Sequence, residues 1–197
     1  MHNLFGGLLD TAQELKRVTP YHAAHATTVV DRANIPGGDD RWYNNVFTGG
    51  ATEPPKVDPK IFNARRRFTG YGTWIYDARE HPSFAGGNVY YRNARPSASE
   101  VSPVVLPTTD PQVKVVAEDD RVFLQADFPA ECREAATQPV TTALLGRARI
   151  PNLPFENPDG SPLTIETDYF GKKRDATRPT AGPFENAAAG PQRLKVW

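Results

Sequence analysis

Three aspartates on or beside predicted β-strands are the side chains with the clearest capacity for chemistry. Asp31 ends one strand-like run, Asp40 opens the next with Asp39 beside it, and Asp77 ends a third. Two carboxyl groups that face one ligand can act as a general acid and a general base. Aspartate beside glycine or asparagine also caps turns, so a structural role competes with the catalytic one at each position.

Two histidines, His22 and His25, lie in a polar loop directly before the Asp31 strand. A neutral imidazole at this place could bind a ligand hydroxyl group or transfer a proton. Their spacing of three residues also suits a metal ion. No third ligand is evident in the sequence, so we predict no metal site.

The strands that position these side chains are predicted from a tripeptide, asparagine-aliphatic-aromatic, at residues 3–5, 45–47 and 88–90. Alternate residues of a strand share a face, so each asparagine lies on the same face as its aromatic neighbour. A buried amide needs hydrogen-bond partners, and parallel strands stacked about 4.8 Å apart can supply them as an asparagine ladder. The repeat therefore predicts stacked coils of a parallel β-helix, although three unrelated strands could share a common tripeptide.

The copies are 42 and 43 residues apart, which we interpret as two coils per period. Two intervening strands are then expected midway, at residues 27–31 and 71–77. Strand parity places Trp42 on the face opposite Asn45, which is consistent with outward exposure.

Composition argues against several classes of protein. Lysine plus arginine equals aspartate plus glutamate at 23 each, so no basic excess indicates nucleic-acid binding. No apolar run is long enough to span a membrane, and no signal peptide is predicted on this chain. The single Cys132 excludes an internal disulfide. Nineteen prolines and 15 glycines indicate a loop-rich protein built on β-structure.

The character of the sequence changes near residue 98. Residues 1–97 are predicted to form the β-helix coils, with a helix at residues 9–18 as an excursion. Residues 98–197 are predicted to be a proline-rich extension of strands and loops that packs on the coils. A long loop at residues 49–69 holds Arg65, Arg66 and Arg67.

Two segments near the end of the chain carry a more specific pattern. Residues 168–174 read Asp-Tyr-Phe-Gly-Lys-Lys-Arg, and residues 182–185 read Gly-Pro-Phe-Glu. They resemble the closing signature of secreted right-handed parallel β-helix carbohydrate-active enzymes, an Asp-x-x-Gly-x-x-Arg turn followed by Gly-Ala-Phe/Tyr-Glu. Pro183 departs from the usual alanine. With the tripeptides, the resemblance covers most of the chain.

The resemblance implies the C-terminal portion of a glycoside hydrolase of the α-L-fucosidase or xylanase type, with a pectate-lyase-like fold. It implies a carbohydrate substrate and an extracellular or periplasmic location. Hydrolysis of a glycosidic bond needs two carboxyl groups roughly 5 to 10 Å apart, a spacing that neighbouring coils provide. The expected catalytic residues are Asp31, Asp40, Asp77, His22 and His25. The expected substrate-binding residues are Trp42, Trp74, Tyr76, Arg65 and Arg66, because aromatic faces pack on pyranose rings.

Two alternatives stay open. A polysaccharide lyase on the same fold would need a base and a neutraliser for a uronate carboxylate, either arginine or calcium. No cofactor is otherwise expected. The chain could also be a non-catalytic subunit that caps a partner's β-helix. Because an uncovered coil exposes unpaired backbone groups, we expect another polypeptide, different or identical, to cover the N-terminal coil.

Overall fold

The computed structural model describes residues 1–53 and 67–197, which form an all-β protein with one short α-helix. The strands are β1 (Leu4–Phe5), β2 (Leu9–Ala12), β3 (Glu14–His22), β4 (Val29–Ile35), β5 (Arg41–Tyr43), β6 (Val46–Phe47), β7 (Arg67–Gly70), β8 (Phe84–Gly86), β9 (Val89–Tyr91), β10 (Val104–Leu106), β11 (Lys114–Glu118), β12 (Arg121–Phe128) and β13 (Gly190–Lys195). The helix α1 is Thr142–Leu145, and 3₁₀ helices lie at Thr73–Tyr76 and Ala130–Glu134. The predicted all-β class is confirmed. None of the helices in the described ranges has the length and apolar character needed to cross a membrane.

The central sheet has the strand order β1-β6-β9-β10, and its strands are parallel. Leu4 pairs with Val46, and Val46 pairs with Val89, so the three tripeptides are direct neighbours. The predicted stacking is confirmed, but the interpretation of two coils per period is wrong. A spacing of 42 or 43 residues separates adjacent strands. Whether the strands belong to a right-handed β-helix stays a prediction.

The asparagine ladder (Asn3, Asn45 and Asn88) forms as the sequence predicts. The backbone N and the side-chain Nδ2 of Asn3 donate to Asn45 Oδ1 at 3.0 and 3.4 Å. The same two groups of Asn45 donate to Asn88 Oδ1 at 2.8 and 2.9 Å. The aromatic residues stack beside the ladder, with ring centroids 4.9 Å apart at both steps. Each buried amide is satisfied by its neighbour in the stack, which makes the position specific for asparagine.

The two predicted midway strands are not part of this sheet. Residues 29–31 belong to β4, which pairs antiparallel with β3 in a largely solvent-exposed hairpin. Residues 73–76 form a 3₁₀ helix. The helix predicted at residues 9–18 is also wrong, because β2 pairs with β7 and β3 with β4. Pro20 and the β-branched Val18 and Thr19 suit an extended conformation better than a helix.

The C-terminal half packs on one face of the central sheet. Val46, Val89 and Tyr91 contact Ala135, and Cys132 borders the same cluster. This half also contains an antiparallel sheet in the order β11-β12-β13. The division near residue 98 stays a prediction, and β10, which follows it, is hydrogen-bonded to β9.

The closing signature forms a buried polar cluster. Arg174 Nη1 lies 3.4 Å from Glu185 Oε2, and their side chains are 4% and 0% exposed. Asp168 accepts hydrogen bonds from the backbone N–H groups of Glu185 and Lys172. Burial lowers the pKa of Arg174, and the Glu185 carboxylate opposes this effect. The signature residues therefore fix the fold of the closing turn.

The buried His2 ring connects the start of the chain to this closing turn, and it should make stability depend on pH. Asn44 Nδ2 donates to His2 Nε2 at 3.1 Å, and His2 Nδ1 lies 3.2 Å from Thr180 O. Burial, with the charge of Arg174, lowers the pKa of His2 from 6.5 to about 4. The folded state thus binds fewer protons than the unfolded state between these values. We expect about 3 kcal/mol of stability to be present above pH 6.5 and lost as the pH falls to 4.

Urea unfolding of the wild type and His2→Gln at a series of pH values tests this expectation. Between pH 4 and 6.5, the free energy of unfolding should change much less with pH in the variant than in the wild type, because glutamine does not titrate. Equal slopes in both proteins would contradict the assignment.

Candidate functional site

The candidate site is built around the 3₁₀ helix Thr73–Tyr76. It follows Gly72, whose φ is +87° and whose position leaves no room for a Cβ, because that atom would lie 2.2 Å from Arg95 O. Thr73 points into the core, whereas Asp77 at the C-terminal end is exposed to solvent. Side chains on both sides of this helix form hydrogen-bonded groups that contain carboxylates.

A continuous hydrogen-bond network joins Asp77 to a second carboxyl group, Glu100. Ser97 Oγ donates to Asp77 Oδ1 at 2.6 Å, and Ser97 N donates to Thr73 Oγ1 at 2.8 Å. Thr73 Oγ1 lies 2.8 Å from Tyr90 OH, which donates to Glu100 Oε2 at 2.5 Å. Asp77 and Glu100, the carboxyl pair, are therefore connected through three intervening residues.

The two members of the carboxyl pair lie in different environments. Glu100 is only 8% exposed, and its burial raises the pKa of its carboxyl group against the opposing hydrogen bonds from Tyr90 and Asn88. Burial also raises the pKa of Tyr90, and the negative charge of Glu100 adds to this effect. Asp77 is exposed and accepts a further hydrogen bond from Ala98 N. Carboxyl groups in such contrasting environments can divide acid and base roles.

Glu100 also completes the asparagine ladder. Val104 pairs with Val89, so Pro103 stands where the next asparagine of the ladder would be. Proline has no amide side chain, and Glu100 Oε1 instead accepts from the backbone N and Nδ2 of Asn88 at 3.2 and 2.9 Å. Glu100 Oε1 thus accepts the hydrogen bonds of the ladder, while Oε2 accepts from Tyr90 OH.

Asp40 and Tyr76 influence one another electrostatically, and Tyr76 directly precedes Asp77 in the sequence. Burial raises the pKa of Asp40, and Ser83 Oγ donates to its Oδ2 at 3.4 Å. Burial raises the pKa of Tyr76 to about 12, and the charges of Asp40 and Asp10 contribute.

The structure corrects the predicted orientation of Trp42. Its ring lies 5.5 Å from Phe5, 6.1 Å from Phe47 and 5.2 Å from Tyr76, so it packs on the aromatic face of the sheet. Strand parity fails because Asn44 has a φ of +56° and breaks the extended chain between β5 and β6. Asparagine tolerates this left-handed conformation, so the Asn-Asn pair in the sequence was the available signal.

Three other candidates lie on the β3–β4 hairpin or its turn, away from this network. Asp31 Oδ1 accepts from Arg32 N, and His22 Nδ1 lies 3.0 Å from Thr27 O. His25 Nε2 contacts Glu156 Oε1 at 2.8 Å. No hydrogen bond among the described residues links them to the carboxyl pair. The expectation that Asp31 ends a coil strand is therefore wrong, because it lies in the β3–β4 hairpin. The catalytic roles expected of Asp31, His22 and His25 stay predictions.

Of the remaining predicted binding residues, only Trp74 lies within the described part of the chain. The Arg95 guanidinium lies 4.2 Å from the Trp74 ring centroid and covers one ring face. Arg65 and Arg66 lie outside the described residues. Within the described ranges, no group of three or more histidine, cysteine, aspartate or glutamate side chains is arranged to hold a metal ion.

Taken with its site, the fold defines an all-β protein with stacked parallel strands and two hydrogen-bond-linked carboxyl groups. Neither a protein-family model nor a curated relative matches the chain. One solved structure, described as the complex structure of XylC with xylose, is similar over 100% of this chain, with a TM-score of 0.82 and 27% sequence identity. The chain spans about a third of that protein's length, since the match covers 32% of it.

Proposed function

We propose that this chain carries the two catalytic carboxyl groups of a glycoside hydrolase that acts on a xylose-containing saccharide. The observation that carries the proposal is the network from Asp77 through Ser97, Thr73 and Tyr90 to Glu100. The similarity to XylC with xylose supports the choice of sugar. The parallel pairing of the central strands supports a right-handed parallel β-helix as the scaffold.

Each carboxyl group has a role that follows from its environment. Glu100, whose pKa burial raises, donates its proton to the oxygen of the leaving group. Asp77, exposed and held by Ser97 and Ala98, acts as the carboxylate that attacks the anomeric carbon or activates a water molecule. If Asp77 attacks the anomeric carbon, water then breaks the glycosyl–Asp77 bond and its remaining proton goes to Glu100. If Asp77 activates the water, Asp77 takes that proton, and exchange with solvent returns both carboxyl groups to their starting states.

Glu100→Gln tests the proton-donor role because glutamine is nearly isosteric. Its amide oxygen can still accept from Asn88, and its NH₂ group can donate to Tyr90, so the ladder should persist. We expect hydrolysis of xylobiose to fall by about 10²–10⁴-fold, because its leaving group needs protonation. Hydrolysis of a nitrophenyl xyloside should fall much less, since nitrophenolate leaves without a proton.

Glu118→Gln on β11 is the matched control, because Glu118 is an exposed glutamate that lies outside the network. This control should leave the hydrolysis of both substrates unchanged. Equal losses on both substrates in Glu100→Gln would contradict the proton-donor role. Failure of the folded wild-type chain to hydrolyse either xyloside would overturn the proposed function.

A non-catalytic role in a β-helix subunit is the second candidate, and the position of Glu100 in the ladder favours it. In that case Glu100 would matter only for stability. Glu100→Gln would then leave the activity of the enzyme reconstituted with its partner intact, whereas Glu100→Ala would destabilise the fold. The lyase alternative has no support from the described residues, and Arg65 and Arg66 lie outside them.

A further inference from the structure

Tyr90 is the third ring of the aromatic stack, and it differs from the first two in carrying a hydroxyl group. The stack consists of Phe5, Phe47 and Tyr90, with ring centroids 4.9 Å apart at both steps. Stacking needs only the ring, because phenylalanine is sufficient at the two preceding positions. The Tyr90 side chain is fully buried, and a buried hydroxyl is costly unless it forms hydrogen bonds. The hydroxyl therefore serves a purpose other than stacking.

The partners of the Tyr90 hydroxyl fix the direction in which it donates. Ser97 N donates to Thr73 Oγ1 at 2.8 Å, and Thr73 Oγ1 lies 2.8 Å from Tyr90 OH. Tyr90 OH lies 2.5 Å from Glu100 Oε2, a length typical of a hydroxyl that donates to a carboxylate. Tyrosine has one proton to donate, so Thr73 donates to Tyr90 while Tyr90 donates to Glu100. The reverse direction would leave the buried Thr73 proton without an acceptor among residues 1–53 and 67–197.

The Glu100 carboxylate has about four lone pairs that can accept hydrogen bonds, and most of them are occupied. The backbone N and Nδ2 of Asn88 donate to Oε1 at 3.2 and 2.9 Å, so both lone pairs of Oε1 are used. Tyr90 uses one lone pair of Oε2. No group in the described part of the chain donates to the second lone pair of Oε2. A proton can therefore bind there without breaking a hydrogen bond.

We propose that Tyr90 is a positioning residue for the proton donor Glu100, an inference that rests on the proposed function. The Tyr90 hydroxyl, held by Thr73, occupies one lone pair of Oε2 and leaves the other as the single position of the proton that Glu100 transfers. Tyr90 itself stays protonated, because burial and the charge of Glu100 raise its pKa. Without this hydroxyl, the charged form of Glu100 loses a donor that stabilises it. The pKa of Glu100, which burial already raises, should then rise further.

Tyr90→Phe removes the hydroxyl and keeps the ring that stacks on Phe47. The titration of Glu100 is followed by NMR of the full chain labelled with carbon-13 at the glutamate Cδ, and the signal absent from Glu100→Gln identifies this residue. We expect the midpoint to rise by about one pH unit in Tyr90→Phe. The alkaline limb of kcat/KM for xylobiose should shift upward by the same amount, because the rate falls as Glu100 loses its proton.

Tyr91→Phe is the matched control. Tyr91 is equally buried, but its hydroxyl lies 2.7 Å from Cys132 Sγ rather than from a carboxylate. This variant should leave both the Glu100 titration and the pH profile unchanged. An unchanged or lower midpoint in Tyr90→Phe, or an equal rise in the control, would overturn the proposal.

Thr73→Val provides a second arm, which decides the question if Tyr90→Phe does not fold. The midpoint should rise here too, because Tyr90 can then turn and accept from the protonated carboxyl group. Thr73→Ser keeps the hydroxyl and should retain the wild-type midpoint. A wild-type midpoint in Thr73→Val would contradict the proposal. If the wild type hydrolyses neither xyloside, the proposed function fails, whereas the NMR titrations still decide whether Tyr90 and Thr73 control the proton of Glu100.

Discussion

Asp77→Asn is expected to reduce kcat/KM for xylobiose and for a nitrophenyl xyloside alike, by on the order of 10³-fold. The loss does not depend on the leaving group, because an uncharged amide can neither attack the anomeric carbon nor activate water. Asparagine retains one oxygen, at the position of Oδ1, which accepts from both Ser97 Oγ and Ala98 N in the wild type. The melting temperature should therefore change little.

Asp175→Asn is the matched control for this prediction. Asp175 is an exposed aspartate that caps a turn through Thr177 and Arg178 and lies outside the network. Both variants lose one turn-capping carboxylate, but only Asp77→Asn should lose activity. If Asp77→Asn instead lowers stability and leaves the activity of the folded fraction unchanged, Asp77 is a turn cap and its proposed role is wrong.

Glu185→Ala is expected to lower the free energy of unfolding by about 3–5 kcal/mol, because it leaves the buried Arg174 charge without its partner. The Glu185 carboxylate also accepts from Thr180 N at 2.9 Å, and this donor would lose its partner as well. Urea denaturation monitored by fluorescence and circular dichroism measures the change.

Glu118→Ala is the control, since Glu118 pairs with Arg193 at 2.5 Å while both side chains are about half exposed, at 46% and 45%. An exposed ion pair contributes little, and the control should cost about 1 kcal/mol or less. Similar losses in the two variants would show that burial of Arg174 and Glu185 does not determine their contribution.

Much of the central sheet could be predicted from the tripeptides. The parity of a strand places Asn45 and Phe47 on one face, and a buried amide beside stacked rings needs an identical neighbour. The ladder and the aromatic stack follow from these local rules. The number of coils per period did not follow, because nothing in the tripeptides reveals the structure of the intervening segments.

The candidate site was only partly predictable. Asp77 was proposed from its position beside a strand-like run, and its side chain joins the carboxyl pair. Glu100 was missed because it enters the ladder from a loop, where Pro103 interrupts the tripeptide pattern. The predicted orientation of Trp42 is wrong because Asn44, with its left-handed backbone, interrupts the alternation of side chains between β5 and β6.

The described parts of the two segments that separate the tripeptides have unlike structures, although the segments are nearly equal in length. Between β1 and β6 the chain forms the exposed β3–β4 hairpin, and between β6 and β9 it includes the 3₁₀ helix that carries the candidate site. The asparagine ladder and the stacked rings are the same at both steps, although the connections differ. The site-bearing segment can therefore change its chemistry without changing the order of the stack.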